Sequence, residues 1–235
     1  MLSCQNLSIG YPSKVVQSAL TFSLQAGEMV CMLGPNGGGK STLLRTLAGL
    51  QPALSGTIRY ASTEPLEKQL ALVLTERVTL DKTSVHDVVS LGRYPYTSFM
   101  GGLTDEDNQI VLHALADVGM SDYLHRSFSA LSDGESQRVL IAKALAQQTP
   151  LILLDEPTAH LDLPNRIRTL QLLQRLAHEQ GKTILISTHE LDLALRLADR
   201  ILLLSHQGLL LDTADHLIAA DAFTPAFGMD IFASL

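Results

Sequence analysis

Residues 34–41 have the spacing G-x-x-x-x-G-K-S, which is typical of a phosphate-binding loop. Glycines let backbone N–H groups turn toward one point and surround phosphate oxygens. A helix that begins at Lys40 would add its positive dipole end to the same anion. We expect Lys40 to reach the β- and γ-phosphates and the Ser41 hydroxyl to face Mg²⁺. An accidental glycine-rich turn is disfavoured because an apolar strand precedes the loop and a helix follows it.

A second candidate is a pair of carboxylates at the end of an apolar strand. Asp155 and Glu156 follow the sequence Leu-Ile-Leu-Leu at 151–154. At the carboxyl edge of a parallel sheet, Asp155 could hold Mg²⁺ through water. Glu156 could polarise an attacking water. The alternative is an ordinary Asp-Glu pair before the turn at Pro157, and the phosphate-binding loop makes that alternative weaker.

A third candidate is the segment 131–138, Leu-Ser-Asp-Gly-Glu-Ser-Gln-Arg, which precedes the 151–154 strand with one helix between them. Ser132 and the Gly134 backbone at a helix N-terminus would form a second anion-binding surface. In isolation the same residues would be an ordinary helix cap.

The elements that must position these residues alternate between strands and helices. The predicted strands lie at 2–9, 15–24, 29–33, 57–60, 70–74, 151–154, 183–187, 201–204 and 209–211. The predicted helices lie at 41–48, 105–118, 136–146, 166–178 and 190–198, and a capping box of Thr104 and Asp107 opens the second of them. The region 85–146 is mainly helical. The order predicts a parallel sheet with an inserted helical lobe.

The composition agrees with an α/β chain and excludes several classes of protein. The 235 residues are 46% hydrophobic and 17% charged, which suffices for a sizeable core. The net charge of -7 argues against a nucleic-acid partner. Cys4 and Cys31 are far apart and form no CxxC, which argues against a disulfide framework or a zinc site and favours a reducing cytosol. Since no apolar run approaches membrane-spanning length, we expect a soluble chain that reaches a membrane through a partner.

Taken together, the three candidate segments resemble the motifs of ABC-transporter ATPases, and the resemblance covers the chain nearly end to end. The family form of the third segment, the signature, is Leu-Ser-Gly-Gly-Gln, and this chain departs from it at Asp133 and Glu135. The resemblance implies one ABC-type ATP-binding domain over 1–235. Its fold class is α/β: a P-loop NTPase core with a mainly parallel sheet, an N-terminal antiparallel β subdomain and an α-helical subdomain inserted at about 78–147.

The resemblance also implies a nucleotide site for ATP and Mg²⁺. Tyr11 takes the position of an aromatic residue that stacks on adenine, although a lone Tyr would otherwise be a half-buried strand residue. His189 takes the position of the switch histidine and, with Glu156, would be catalytic; a single His after a strand is more often a cap or a core residue. Ser41 and Asp155 would hold Mg²⁺. The nucleotide-binding residues of the loop would be Gly34, Pro35, Asn36, Gly37, Gly38, Gly39, Lys40, Ser41 and Thr42.

Other matched positions imply a second copy of the chain. The signature residues would act on the ATP that the partner chain binds; they are Ser132, Asp133, Gly134 and Glu135. Asp162, in the D-loop at 160–162, would contact the opposite subunit. Because one chain carries one phosphate-binding loop and one signature, two chains would complete two sites in a symmetric, head-to-tail homodimer.

The Gln-loop is the clearest departure from the family pattern. The family carries a Gln after the strand at 70–74, and here Thr75 takes that position, followed by Glu76 and Arg77. The Thr hydroxyl can donate and accept a hydrogen bond but has a shorter reach. We expect a water to bridge from Thr75, with Glu76 turned outward or paired with Arg77.

Two segments resemble one branch of the family. Leu91–Tyr96, Leu-Gly-Arg-Tyr-Pro-Tyr, resembles a segment of ATPases that serve iron-siderophore, haem and cobalamin importers, and 158–166 is similar to the same branch. The alternative is an ordinary aromatic turn at 94–96. The branch implies an ATP-hydrolysing subunit that powers metal-chelate uptake through a separate permease at the cytoplasmic face of the inner membrane. A periplasmic or surface substrate-binding protein would act through that permease.

The sequence disfavours two other functions. One is a soluble ABC ATPase that acts on ribosomes or DNA. Ribosome-acting forms usually carry two ATPase halves and DNA-repair forms carry long coiled coils; this chain has neither, and its acidic charge disfavours both. The other is a small-molecule kinase or a GTPase, which the segment 131–138 and His189 disfavour.

Overall fold

The structure, a computed structural model, describes residues 2–74, 82–97, 102–205 and 208–228. The strands within these residues are β1 (Leu2–Tyr11), β2 (Lys14–Leu24), β3 (Met29–Leu33), β4 (Ser55–Tyr60), β5 (Leu70–Val73), β6 (Leu151–Asp155), β7 (Thr183–Ser187), β8 (Arg200–Ser205) and β9 (Gly208–Asp212). The helices are α1 (Lys40–Leu47), α2 (Val85–Ser90), α3 (Asp105–Asp117), α4 (Asp133–Ala146), α5 (Leu163–Gln180), α6 (Leu191–Leu197), α7 (Ala214–Ala219) and α8 (Phe223–Phe227). Short 3₁₀ segments connect several of them.

A six-stranded sheet in the order β5-β6-β7-β3-β8-β9 forms the centre of the fold. All neighbouring pairs are parallel except β8 and β9. The central strands β3, β6 and β7 are buried along their whole length, which explains their unbroken apolar sequences. Alternate residues of β3 point to opposite faces. Cys31 joins one apolar core and Val30 joins the other, so the sheet lies between two cores.

A separate three-stranded antiparallel sheet, in the order β2-β1-β4, packs on one of these cores. The other core includes the helical subdomain, where α2 and α3 both pack on α4. This arrangement agrees with the predicted fold class: a mainly parallel sheet, an N-terminal antiparallel sheet and helices inserted between β5 and β6.

Two helices begin earlier than the sequence predicted, and in both the cap decides the start. Helix α4 begins at Asp133 rather than at residue 136, because the Ser132 hydroxyl accepts the Glu135 N–H and the Glu135 carboxylate accepts the Ser132 N–H. Helix α5 begins at Leu163 rather than at residue 166, because Asp162 caps it by accepting the Asn165 N–H. Apolar periodicity missed both starts, since the first turn of α4 is Asp-Gly-Glu-Ser and the first turn of α5 is Leu-Pro-Asn-Arg, in which Leu163 is exposed.

The predicted capping box at α3 is confirmed. The Thr104 hydroxyl accepts the Asp107 N–H, and the Asp107 carboxylate accepts the Thr104 N–H. Among the described residues, no helix is both long enough and apolar enough to cross a bilayer.

Candidate active site

The candidate site lies at the carboxyl ends of β3, β7 and β6, which are neighbours in that order in the central sheet. Strand β3 leads into the phosphate-binding loop, and β6 ends at Asp155. Carboxyl ends of parallel strands meet at one edge, so the sheet brings the loop and the carboxylates together from positions more than a hundred residues apart.

The phosphate-binding loop curls around its own lysine. Lys40 is buried, and its Nζ donates to the Gly34 carbonyl oxygen at 2.9 Å and to the Pro35 carbonyl oxygen at 3.2 Å. The ammonium group is therefore held among backbone acceptors that a phosphate could replace. Burial lowers the pKa of Lys40 below its usual value, and the nearby charges of Glu156 and Asp155 oppose this effect.

Gly39 sets the start of helix α1. It has a left-handed backbone with φ of 99°, and a Cβ atom there would lie 2.8 Å from Cγ1 of Val16. A side chain is therefore excluded both by conformation and by close approach. The helix opens without a side-chain cap, so the N-terminal N–H groups of α1 remain available to an anion.

The Ser41 hydroxyl and the Asp155 carboxylate lie together beneath the loop. Ser41 Oγ donates to Asp155 Oδ1 at 3.1 Å, and Asp155 is buried. Mg²⁺ prefers hard oxygen ligands and usually keeps several waters. A hydroxyl and a carboxylate at this spacing beside the loop suit that ion, and the structure brings the two predicted metal ligands together.

Glu156 and His189 face each other at the mouth of the site. His189 Nε2 lies 2.5 Å from Glu156 Oε1, and both side chains are partly exposed to solvent. Glu156 has a left-handed backbone with φ of 47°, which is unusual for a residue with a long side chain. A carboxylate here can accept a proton from water, and the imidazole can contact the carboxylate or a phosphate oxygen.

Sequence reasoning missed Ser187, the last residue of β7. Its hydroxyl donates to Asp155 Oδ1 at 2.6 Å and accepts the Glu156 N–H at 2.9 Å. Since β7 lies between β3 and β6, Ser187 ends up between the two carboxylate-bearing residues and the loop. The signal in the sequence was a serine at the carboxyl end of a strand whose three central residues are apolar.

Lys40, Ser41, Glu156 and His189 line a cleft of about 310 Å³. Tyr11 lies at its rim with 51% of its surface exposed, so the ring is free to meet a flat ligand. The cleft is lined by Tyr11, Lys14, Val16, Asn36, Gly37, Gly39, Lys40, Ser41, Thr42, Glu156 and His189.

The signature residues lie outside this cleft, at the start of α4. Ser132 Oγ donates to Glu135 Oε2 at 2.9 Å, so the carboxylate that departs from the family pattern fixes the signature serine. Hydrogen bonds from the Ser132 backbone, from Tyr123 and from the Ser132 hydroxyl lower the pKa of Glu135. Ser132 and Asp133 are exposed, so this end of the helix is available to a second molecule.

The D-loop is tied to the segment that carries His189. Arg166 donates from Nε to the Leu161 carbonyl oxygen at 2.7 Å and from Nη1 to Glu190 Oε1 at 2.5 Å. Asp162 itself caps α5. The sequence prediction of a Gln-loop role for Thr75, and of the orientation of Glu76, falls outside the described residues and stays a prediction.

In the helical subdomain, the 3₁₀ segment Leu91–Tyr96 divides into buried and exposed side chains. Arg93 is buried, whereas Tyr94 is 78% exposed. The Tyr96 ring packs on the Arg93 guanidinium, 4.1 Å from ring centre to Cζ, and its hydroxyl donates to the Gln147 carbonyl oxygen. An ordinary packed aromatic turn describes Tyr96 but not Tyr94.

Comparison with known proteins agrees with this geometry. The profile of the family described as ABC transporter matches residues 18–159. An iron(3+)-hydroxamate import ATP-binding protein of Bacillus subtilis is 39% identical over 237 residues, covering 97% of this chain and 88% of that protein.

Solved structures agree as well. A chain from a metal-chelate type ABC transporter in an inward-facing conformation superposes with a TM-score of 0.88 at 32% identity, covering 97% of this chain and 88% of that one. A dimeric ATP-binding cassette in a post-hydrolysis state with ADP and phosphate superposes with a TM-score of 0.77 at 25% identity, covering 91% of this chain and 99% of that one. The chain therefore belongs to the ABC transporter family, as an ATP-binding domain with the fold and the ATPase activity of that family.

Proposed function

We propose that this chain hydrolyses Mg²⁺-bound ATP to power an importer of metal chelates of the iron-siderophore, haem or cobalamin class. The observation that carries the proposal is the position of the Glu156 carboxylate. It lies at the mouth of a phosphate-binding cleft, 2.5 Å from His189 and next in sequence to the buried Asp155.

The proposed roles follow from the contacts. When the nucleotide enters, the Lys40 ammonium exchanges the Gly34 and Pro35 carbonyl oxygens for β- and γ-phosphate oxygens. Bound between Ser41 and Asp155, Mg²⁺ would offset charge on the phosphates. Glu156 accepts a proton from the water that attacks the γ-phosphorus, while the bond to the bridging oxygen breaks and ADP leaves.

The proposed nucleotide contacts complete the site. Tyr11 stacks on adenine from the rim of the cleft. Loop residues 34–42 hold the phosphates, and His189 contacts the γ-phosphate once ATP separates it from Glu156. Residues Ser132, Asp133, Gly134 and Glu135 of a second copy close over the same ATP, and the D-loop at Asp162 meets the opposite subunit in a head-to-tail homodimer.

The importer assignment is supported by the relatives and by one surface residue. The Bacillus subtilis relative is named for iron(3+)-hydroxamate import, and the inward-facing structure is of a metal-chelate type transporter. Tyr94 presents an aromatic ring to solvent on a segment that buried Arg93 holds in place. Exposed aromatic residues on a rigid segment are typical of protein–protein contacts. We propose that Tyr94 faces the permease, which holds the chain at the cytoplasmic face of the membrane and receives the chelate from a substrate-binding protein.

The test is ATP hydrolysis by the purified chain alone and with the polytopic permease encoded by a neighbouring gene. We expect Mg²⁺-dependent hydrolysis that the permease stimulates. The Tyr94→Ala variant should keep its basal rate within about twofold, because Tyr94 is exposed and does not line the cleft, and should lose most of the stimulation.

Leu112→Ala is the matched control, since Leu112 is another exposed apolar residue of the helical subdomain. It should leave both rates unchanged. Equal loss of basal and stimulated rates in Tyr94→Ala would show that the ring serves the subdomain itself rather than a partner. Absence of Mg²⁺-dependent hydrolysis in the parent chain would refute the proposed function as a whole.

A further inference from the structure

Ser187 occupies the most enclosed position of the site, with no exposed surface. Its hydroxyl can donate one hydrogen bond and accept two. The proton goes to Asp155 Oδ1 at 2.6 Å, and the oxygen accepts the Glu156 N–H at 2.9 Å. One hydroxyl therefore joins a predicted Mg²⁺ ligand to the residue predicted to act on water.

The bond to Asp155 orients that carboxylate. Oδ1 of Asp155 accepts hydrogen bonds from two hydroxyls, Ser187 at 2.6 Å and Ser41 at 3.1 Å. If Ser41 turned its oxygen toward a cation, the bond from Ser41 would be lost and the bond from Ser187 could remain. Ser187 would then keep the Asp155 carboxylate in the same orientation with the cation bound.

The bond to Glu156 supports an unfavourable backbone. A residue with φ of 47° persists only where its surroundings compensate for the strain. Here the Glu156 N–H donates to both the Ser187 hydroxyl and the Ser187 carbonyl oxygen, the latter at 3.1 Å. The left-handed backbone sends the Glu156 side chain to His189 at the mouth of the cleft.

We propose that Ser187 is a positioning residue for hydrolysis, which sets the relative placement of the Asp155 carboxylate and the Glu156 side chain. This inference rests on the proposed function, since it assumes that Asp155 and Glu156 serve ATP hydrolysis. Ser187 is fully buried and does not line the cleft, so its effect would pass through the two acidic residues.

The test compares Ser187→Ala with Thr183→Val in the full chain. Thr183 lies on the same strand with an equally buried hydroxyl, which donates to the Gln25 carbonyl oxygen at the end far from the site. We expect Ser187→Ala to lower kcat by about tenfold to a hundredfold, the effect of a misplaced reacting group, and to leave the KM for ATP within about twofold. Thr183→Val should keep kcat within about twofold.

A second comparison separates positioning from general structural damage. The second comparison measures single-turnover hydrolysis in a Glu156→Gln background. There Ser187→Ala should lower the rate by a much smaller factor than it does in the parent, because the effects of substitutions in residues that act as a unit are not additive. If Ser187→Ala does not fold, Ser187→Cys replaces it, with a somewhat larger side chain and a weaker donor, and the same fall in kcat is expected.

Three results would overturn the proposal: a kcat within twofold of the parent, a fall no larger than that of Thr183→Val, or an undiminished effect in the Glu156→Gln background. These outcomes require a parent chain that hydrolyses ATP. A parent without Mg²⁺-dependent activity would refute the proposed function instead, so the two failures are distinguishable.

Discussion

Glu156 combines a strained backbone with a side chain at the cleft mouth, so a substitution there should affect chemistry more than binding. If the carboxylate accepts a proton from water, Glu156→Gln should cut turnover by about 10²–10⁴, or ~3–5 kcal/mol of barrier. ATP affinity should survive, because Lys40 and the loop N–H groups make the phosphate contacts. Steady-state hydrolysis and nucleotide binding, measured on one preparation, test both statements.

The control is Glu179→Gln, since Glu179 is an exposed glutamate on α5 away from the cleft. It should hydrolyse ATP at the parent rate. Hydrolysis by Glu156→Gln within a few-fold of the parent would show that another group takes the proton.

Individual site residues were predictable where they belong to a motif. Residues that connect two elements by hydrogen bonds were not predictable. The spacing of the loop and a carboxylate at a strand end were enough to select Lys40, Asp155 and Glu156. The sequence assigned no role to Ser187 or Arg166, although Arg166 ends the 158–166 segment that resembles one branch of the family. Their importance lies in contacts between β7 and β6 and between α5 and Glu190, the residue after His189. Such contacts depend on strand order, which a single sequence does not reveal.

At the scale of elements, a buried ion pair holds the helical subdomain together. Arg93 Nε donates to Asp107 Oδ1 at 2.8 Å, and the two side chains are 6% and 8% exposed. Arg93 also donates to the Ala146 carbonyl oxygen, which ties the Leu91–Tyr96 segment to α3 and α4. Gly92 lets this segment approach closely, since a Cβ atom there would collide with the Lys143 carbonyl oxygen.

This pair should make stability depend on pH. Hydrogen bonds from the Thr104 backbone and from Arg93 lower the pKa of Asp107 to about 2 from 3.8. A carboxyl group with a lowered pKa in the folded state stabilises fully above its unfolded pKa, and this contribution is lost as the pH falls toward about 2. The free energy of unfolding of the parent should therefore fall below pH ~4 more steeply than that of Asp107→Asn.

Urea unfolding of both proteins between pH 7 and pH 3 measures this difference. At pH 7, Asp107→Asn should be less stable by about 3 kcal/mol, because it leaves the Arg93 charge buried without its partner. The gap between the two proteins should narrow below pH ~4. A constant gap down to pH 3 would contradict the assigned role of the Asp107 charge.

The order of the strands and of helices α1, α3, α4, α5 and α6 was predictable because apolar runs and periodicity extend over many residues. The short helices α7 and α8 after β9 were not predicted. Helix starts were less predictable: α4 and α5 each begin three residues early, where Ser132 and Asp162 act as caps. A helix cap depends on a local side-chain hydrogen bond, and the spacing of apolar residues gives no information about it.

For the whole molecule, the two predicted anion-binding surfaces of one chain are separate. The phosphate-binding loop lines the cleft, whereas Ser132 and the start of α4 lie outside it and are exposed. A second chain related by twofold symmetry would bring its signature to the first chain's ATP. The family resemblance predicted this arrangement from the sequence. The order of strands and helices in one chain does not determine the geometry of the dimer, because that geometry depends on contacts between two chains.

The most direct test of the account is the mass in solution of the Glu156→Gln variant, measured by size-exclusion chromatography with light scattering, with and without ATP. We predict the mass of one chain without nucleotide and twice that mass with saturating ATP, because each ATP would be held between Lys40 of one copy and Ser132 of the other. Adding Ser132→Arg should abolish the dimer while the variant still binds ATP. A single-chain mass at saturating ATP, or an equally stable dimer with Ser132→Arg, would contradict the claim that two chains share each ATP.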